Sequence, residues 1–510
     1  MVDVDSETTD VDCGQRRVEA RAGMALSLAT FTMALASALQ AVLYLSSFGA
    51  NGRTDGFFVA FALYTTFGVF SQSLRLTAAP LLVEPAARLQ PRELMRALLI
   101  VALPVIIATG PLAGPLAGLL APGLDPSDRA ITQDALPILG AAVTLQLLAA
   151  GGATLLAVRS RFMSVAVAYA AGAIGGFFVY LALVGSAQEL TLGWSMLSMA
   201  VITFSIMAVS TIRSGGLGAR CRIPGLRAAG VDASLLLGRT VVYLAFNLLF
   251  IVTLAWASGS AAGDATVLSY GYLFASYLVA GTAMALGMSR IPEMTRQARS
   301  EQTALVRASV PVGFRYAIMF AAPALAALIV AGAPLIGALF PDSLDADAVQ
   351  TLRTFGALLA PWTIAALIIN LLLPLMFAIG RARLVNLMAV PLAALHIAAT
   401  ALATAQWGVE GTVAAFGLAP ALFAIFLVAV AAGPRAPGLG RELAWDAARF
   451  CTAAAVAFGT AAIVAPALSH GFVEAVFAGI IGTAMYALLL PIVASRQVTV
   501  VMRALRTASP

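Results

Sequence analysis

Four short polar runs interrupt an otherwise apolar chain, and each has the spacing of one helical face. The first holds Thr30, Ser37, Gln40, Tyr44 and Ser47, and the second holds Ser71, Gln72 and Arg75. Further on come Thr240, Tyr243 and Asn247, and then Ser269, Tyr272 and Ser276. The chemistry these groups offer is recognition, not bond making. Hydroxyls and amides exchange hydrogen bonds, tyrosines present an apolar ring with a polar tip, and a guanidinium fork such as Arg75 matches a phosphate. The candidate substrate-binding set is therefore Ser37, Gln40, Tyr44, Ser71, Gln72, Arg75, Tyr243, Asn247, Tyr272 and Ser276, lining a shared polar cavity. The plainer reading of each hydroxyl or amide is interhelical hydrogen bonding, about 0.6 kcal/mol apiece. For Arg75 the plainer reading is a side chain that snorkels to the headgroups. His396 has almost wholly apolar neighbours in sequence and reads as a structural hydrogen-bonding residue.

What is missing narrows the chemistry further. Cys13, Cys221 and Cys451 are far apart and form neither a metal pattern nor a disulfide framework. There is no phosphate-binding glycine loop with its lysine and no plausible catalytic set, so no enzyme, cofactor or metal site is expected. No Asp or Glu falls in the middle of an expected membrane span, which argues against ordinary proton- or sodium-coupled loading. The energy source is left as the membrane potential or an ion gradient.

The elements that must position these residues follow from composition. Of 510 residues, 61% are hydrophobic and 11% charged, against about 25% charged in a soluble domain. Only lipid tolerates that much apolar surface. Stretches of about 20 apolar residues are read as spans near 22–47, 57–83, 95–120, 131–157, 163–185, 191–212, 235–258, 265–289, 312–340, 349–379, 384–405, 409–432, 447–468 and 473–494. That is an all-α polytopic membrane protein of about 14 transmembrane helices, since lipid forces every backbone group into an internal hydrogen bond.

All 30 basic residues are arginine, and they test the count. With both termini in the cytoplasm, 26 arginines fall at inside loops and helix ends, while Arg53, Arg129 and Arg353 fall outside and Arg75 lies within a span. This is the positive-inside pattern. The net charge of +6 is thus a topology signal, and no nucleic-acid partner is implied.

An internal repeat organises the spans. Pro104, Pro115 and Pro122 recur as Pro323, Pro334 and Pro341 at an offset of 219, which Asp128 and Asp347 share. Arg159 and Arg161 match Arg381 and Arg383 at 222. The expected organisation is a tail 1–21, an N-lobe 22–213, a basic linker 214–234, a C-lobe 235–432, a linker 433–446, two further helices 447–494 and a tail 495–510. Each lobe has six helices, and transporters of this kind place substrate between the halves. Pro104 and Pro323 are candidate bending points.

The stretch Phe48-Gly49-Ala50, Thr54-Asp55, Phe57-Phe58-Val59-Ala60-Phe61 resembles the corresponding part of the MurJ (MviN) family of lipid II flippases. So do Pro80-Leu81-Leu82-Val83-Glu84, the run from Tyr270 to Gly287 with Pro292, Gly380-Arg381, and Gly408-Val409-Glu410-Gly411. The family belongs with MATE transporters in the MOP exporter group. The resemblance implies two six-helix lobes, MATE-like, around an alternating cavity, plus two C-terminal helices that form a groove for a lipid tail. The implied cargo is a polyprenyl-diphosphate-linked glycan such as lipid II. Positions where the family carries an Arg–Asp pair and further cavity arginines read Gln40 and Ala41, then Ser46, Thr66 to Val69, and Leu273 here. The expectation is a flippase of the bacterial inner (plasma) membrane, multi-pass, in contact with membrane lipids and envelope-synthesis enzymes. The alternatives are an exporter of a small amphiphilic metabolite or drug, and a non-transporting scaffold.

Overall fold

The computed structural model describes residues 29, 32–33, 35–37, 39–83, 90–159, 161–215, 226–284, 302–332, 334–335, 337, 346–378, 380–432, 438–468 and 471–493. Among them there is helix and no strand. The protein is a multi-pass helical membrane protein. The chain forms two compact units, one of residues 1–48 with 52–251, the other of 49–51 with 252–510.

The first unit contains α1 (Leu35–Phe48), α2 (Gly52–Val83), α3 (Pro91–Thr109), α4 (Ala113–Leu120), α5 (Pro126–Val158), α6 (Phe162–Leu183), α7 (Thr191–Arg213) and most of α8 (Leu226–Ala257). The second contains the end of α8, then α9 (Asp264–Val279) with a π turn at Ala280–Met284. It continues with α10 (Gln302–Ala327) and a π turn at Leu328–Gly332, α11 (Ala346–Leu358), α12 (Ala360–Ala378), α13 (Ala382–Phe416), α14 (Leu418–Ala432), α15 (Leu439–Leu468) and α16 (Phe472–Val493).

Nine helices among the described residues are long and apolar enough to cross a bilayer, and ten if α3 and α4 form one bent span. The nine count α13 and α14 as one 50-residue run, Ala382–Ala431. Gly408 interrupts that run with φ 61° and ψ −144°, where the sequence places a boundary between two spans. The expected single span at 95–120 is bent: α3 and α4 meet at 80° across a break at residues 110–112, where Gly110 stands, and together they are long and apolar enough for one span. Exposed Trp194, Trp256, Trp407 and Trp445 stand near helix ends, where indole suits the interface between lipid and water.

Small residues let the helices approach closely. A Cβ on Gly56 would sit 2.3 Å from the Asp128 carbonyl oxygen, and one on Gly140 only 1.9 Å from Thr109 Oγ1. α2 consequently packs along α5, and Thr132 Oγ1 donates to the Gly56 carbonyl at 2.8 Å. The helix 1–2 motif turns out to be core. Thr54, Asp55, Phe57, Phe58, Val59 and Ala60 are buried, and Phe57, Phe58 and Phe61 stack with Tyr64 below and Tyr44 beside them.

The repeat has a structural counterpart inside each unit. Arg159, at the end of α5, donates to the carbonyls of Ser214 and Gly215 at the end of α7. Arg381, at the start of α13, donates to the Val430 carbonyl near the end of α14 at 2.7 Å. In both cases a guanidinium satisfies carbonyls at a helix C-terminus, where the dipole favours a cation. Two arginines that break the positive-inside pattern are engaged elsewhere. Arg53 forks onto Glu189, with Nε 2.6 Å from Oε1 and Nη2 3.0 Å from Oε2. Arg129 donates to the carbonyls of Ala121, Pro122 and Leu124.

Candidate functional site

The candidate residues divide between the units. Ser37, Gln40, Tyr44, Ser71, Gln72, Arg75, Tyr243 and Asn247 belong to the first, Tyr272 and Ser276 to the second. The backbones of Gln72 and Arg75 lie in α2, and their side chains are outside the described residues.

In the first unit α2 and α8 touch at a hydrogen bond. Thr66 Oγ1 donates to the Asn247 carbonyl at 3.3 Å. Most of the other polar groups are satisfied on their own helices. Ser71 Oγ donates to the Gly68 carbonyl at 2.7 Å, Thr240 Oγ1 to Leu236 at 2.9 Å and Asn247 Nδ2 to Tyr243 at 2.8 Å. Gln40 and Tyr243 are buried and Ser37 is half-buried. Tyr44 is fully buried; its hydroxyl donates to the Glu189 carbonyl at 3.0 Å and its ring packs on Phe48 and Phe57. A further polar contact, which sequence spacing did not indicate, joins Gln146 Nε2 of α5 to the Tyr64 hydroxyl of α2 at 2.5 Å.

The second unit assembles an aromatic cluster from three distant segments. The Tyr272 ring lies 5.0 Å from Trp362 and 5.8 Å from Phe416, and Trp362 stacks on Phe416 at 5.6 Å. His396 stands edge-on to Phe416 at 5.9 Å, and its Nε2 is 3.1 Å from Thr253 Oγ1 and 3.5 Å from Thr400 Oγ1. Thr404 and Thr412 continue this polar seam across the Gly408 kink, their hydroxyls 2.6 Å apart. Buried polar groups joined this way fix the packing of helices in lipid, and His396 holds α13 to the end of α8. Ser269, on the face of α9 that carries Tyr272 and Ser276, is buried, and among the described residues its hydroxyl has no hydrogen-bond partner.

One constellation carried no signal in the sequence: a carboxylate near the start of α15 is buried against an arginine. α15 begins at Leu439, earlier than the expected 447, so Asp446 lies within a membrane-crossing helix with its side chain only 5% exposed. Arg315 of α10 pairs with it, Nε to Oδ2 at 2.5 Å, and also with Glu442. Asp446 can enter the bundle because a guanidinium pairs with it there, while Glu442, its side chain 44% exposed, keeps contact with the surface. Sequence spacing could not find this site, since 131 residues separate the partners.

Among the described residues no three His, Cys, Asp or Glu side chains gather as a metal site. No family model matches the chain, and no curated protein matches it. Solved structures do. A structure of the lipid II flippase MurJ in an inward closed conformation is similar at a TM-score of 0.71 and 14% identity, covering 93% of this chain and 99% of that one. An inward-facing multidrug resistance MATE transporter of the MOP superfamily gives 0.58 at 13% identity, covering 81% and 99%. A MOP superfamily transporter from Pyrococcus furiosus, described as having a binding pocket of reversed polarity, gives 0.52 at 15% identity, covering 83% and 97%. The chain has the fold these transporters share.

Proposed function

We propose that this protein is an inner-membrane flippase, with both termini in the cytoplasm, that moves a polyprenyl-diphosphate-linked glycan across the bilayer by alternating access. The observation that carries the reading is full-length similarity to the MurJ fold, 93% of this chain against 81% for the MATE transporter. The difference in coverage is of the size of α15 and α16 together. A lipid II flippase accommodates a cargo with a polar head and a long apolar tail, and an amphiphile of that kind suits a helical bundle that offers hydrogen-bonding groups but few charges. In this reading Arg75 meets the diphosphate, while Gln40, Ser37, Ser71, Gln72, Tyr243 and Asn247 serve the polar head, Tyr44 shapes the wall, and membrane lipids surround the lobes. Envelope-synthesis enzymes are the partners that would supply and consume such a cargo.

A second reading has its own support. The Tyr272–Trp362–Phe416 cluster and Ser276 beside it would suit an uncharged aromatic cargo, as a MATE-like exporter of a small amphiphilic molecule requires. A scaffold without transport is the third.

The deciding experiment is mass spectrometry of polyprenyl-diphosphate intermediates in cells depleted of the protein. Accumulation of one glycan-linked species is the expected result and names the cargo. An unchanged lipid-linked pool, in a strain without a redundant flippase, rejects the flippase reading in favour of the exporter or the scaffold.

A further inference from the structure

α10 contains Pro323, and a proline inside a helix has no N–H to give the carbonyl four residues before it. That carbonyl belongs to Met319. In lipid a freed carbonyl must find another donor, from a neighbouring helix or from water. The donor here is the Tyr486 hydroxyl of α16, 3.0 Å from the Met319 oxygen and buried with it. Contacts to the same C-terminal pair lie on either side of this point. One turn earlier Arg315 is paired with Asp446 and Glu442 of α15. Beyond Pro323, within the π turn, Ala331 packs between Ala465 of α15 and Ala478 of α16.

We propose that α15 and α16 are a splint for α10 at Pro323, with Tyr486 standing in for the donor that Pro323 lacks and Arg315 fixing the stem below it. The two C-terminal helices attach to the helix of the second unit in which, among the described residues, a proline is followed by a π turn. Anything that displaces the pair withdraws the Tyr486 donor and leaves a polar group unsatisfied in an apolar medium, so the hydrogen bonding of α10 around Pro323 and the position of the pair change together. Arg315 and Tyr486 are positioning residues in this scheme. Its bearing on transport rests on the alternating-access reading above; the splint itself does not.

Hydrogen exchange of the full chain in lipid nanodiscs tests it, followed in peptides covering residues 320–332. Tyr486→Phe removes the donor and nothing else, and is expected to speed exchange there by roughly three- to twentyfold, the range of single interhelical hydrogen bonds in membranes. Pro323→Ala restores the N–H, so in that background Tyr486→Phe should have no effect on the same peptides. Arg315→Ala should loosen residues 320–332 and 439–450 together, and the exchanged pair Arg315→Asp with Asp446→Arg should restore both. An unchanged segment 320–332 in Tyr486→Phe, or an equal effect in both backgrounds, overturns the proposal. Loosening confined to 439–450 in Arg315→Ala removes Arg315 from it. None of these outcomes depends on the cargo, so the flippase reading can fail while the splint stands.

Discussion

The segment 91–120 in the first unit and the segment 302–332 in the second begin alike and end differently. Each carries a proline, Pro104 or Pro323, and each leaves regular α-helical hydrogen bonding a few residues later. Even the places correspond, since Thr109–Ala113 and Leu328–Gly332 are 219 apart, the same offset as the prolines. Yet α3 and α4 part by 80°, while α10 passes into a single π turn. The neighbours differ. α3 packs mainly on α5, and its other side, with Leu103, Ile106, Ile107 and Leu112, is exposed to what must be lipid. α10 is flanked by α15 and α16, which supply a hydroxyl to its freed carbonyl. The two segments thus leave regularity at matching places, and the helices around them differ.

The largest effect that can break this comparison is expected at Gly140. A side chain there meets Thr109, whose hydroxyl is already bound to the Val105 carbonyl at 2.8 Å. Gly140→Leu should therefore destabilise by about 1–3 kcal/mol, as overpacking does, seen as a lower unfolding midpoint in detergent. A midpoint equal to wild type would mean that α3 slides freely on α5, and the contrast between held and unheld segments would go with it.

The proline exchanges are a middle case. Pro104→Ala should leave the 80° break largely in place, since Gly110 and the Thr109–Gly140 contact persist; Pro323→Ala should remove the π turn. Pairs of spin labels, one pair across residues 95 and 118 and the other across 312 and 332, would report both. A larger distance change in the first pair than in the second would reverse the assignment of causes. If the flippase proposal holds, both alanine variants are also expected to slow transport more than they lower folding yield, and purified variants with wild-type rates would remove the prolines from the mechanism.

The smallest effect sharpens the comparison. Tyr486→Phe should lower stability by about 0.6 kcal/mol, measured by unfolding in mixed micelles. Its counterpart in the first unit would be a donor to the Ile100 carbonyl, freed by Pro104 in the same way.

Much of the fold was legible in the residues. Arg159 and Arg381 were matched by offset alone, and in each unit the guanidinium does the same work at a helix end. The kink at Gly408 falls where two spans were separated. The candidate site was less legible. Spacing put Thr240, Tyr243 and Asn247 on one face, but that face spends Thr240 and Asn247 on its own helix, because a hydroxyl or amide in lipid takes the nearest carbonyl. Trp362 and Phe416 carried no signal, since an aromatic in an apolar run looks like any other core residue.

The sequence by itself determined that this is a multi-pass helical membrane protein, and where a boundary such as the one at Gly408 falls. Those properties are local: lipid forces each segment to satisfy its own backbone, arginine marks loops, and proline marks a missing donor. Only the tertiary structure decided that Asp446 is buried with Arg315, that Tyr272 joins Trp362 and Phe416, and that Tyr486 reaches Met319. Each of these joins residues about 90 or more positions apart. Helical periodicity says which face of a helix a residue occupies, but not which other helix that face will meet.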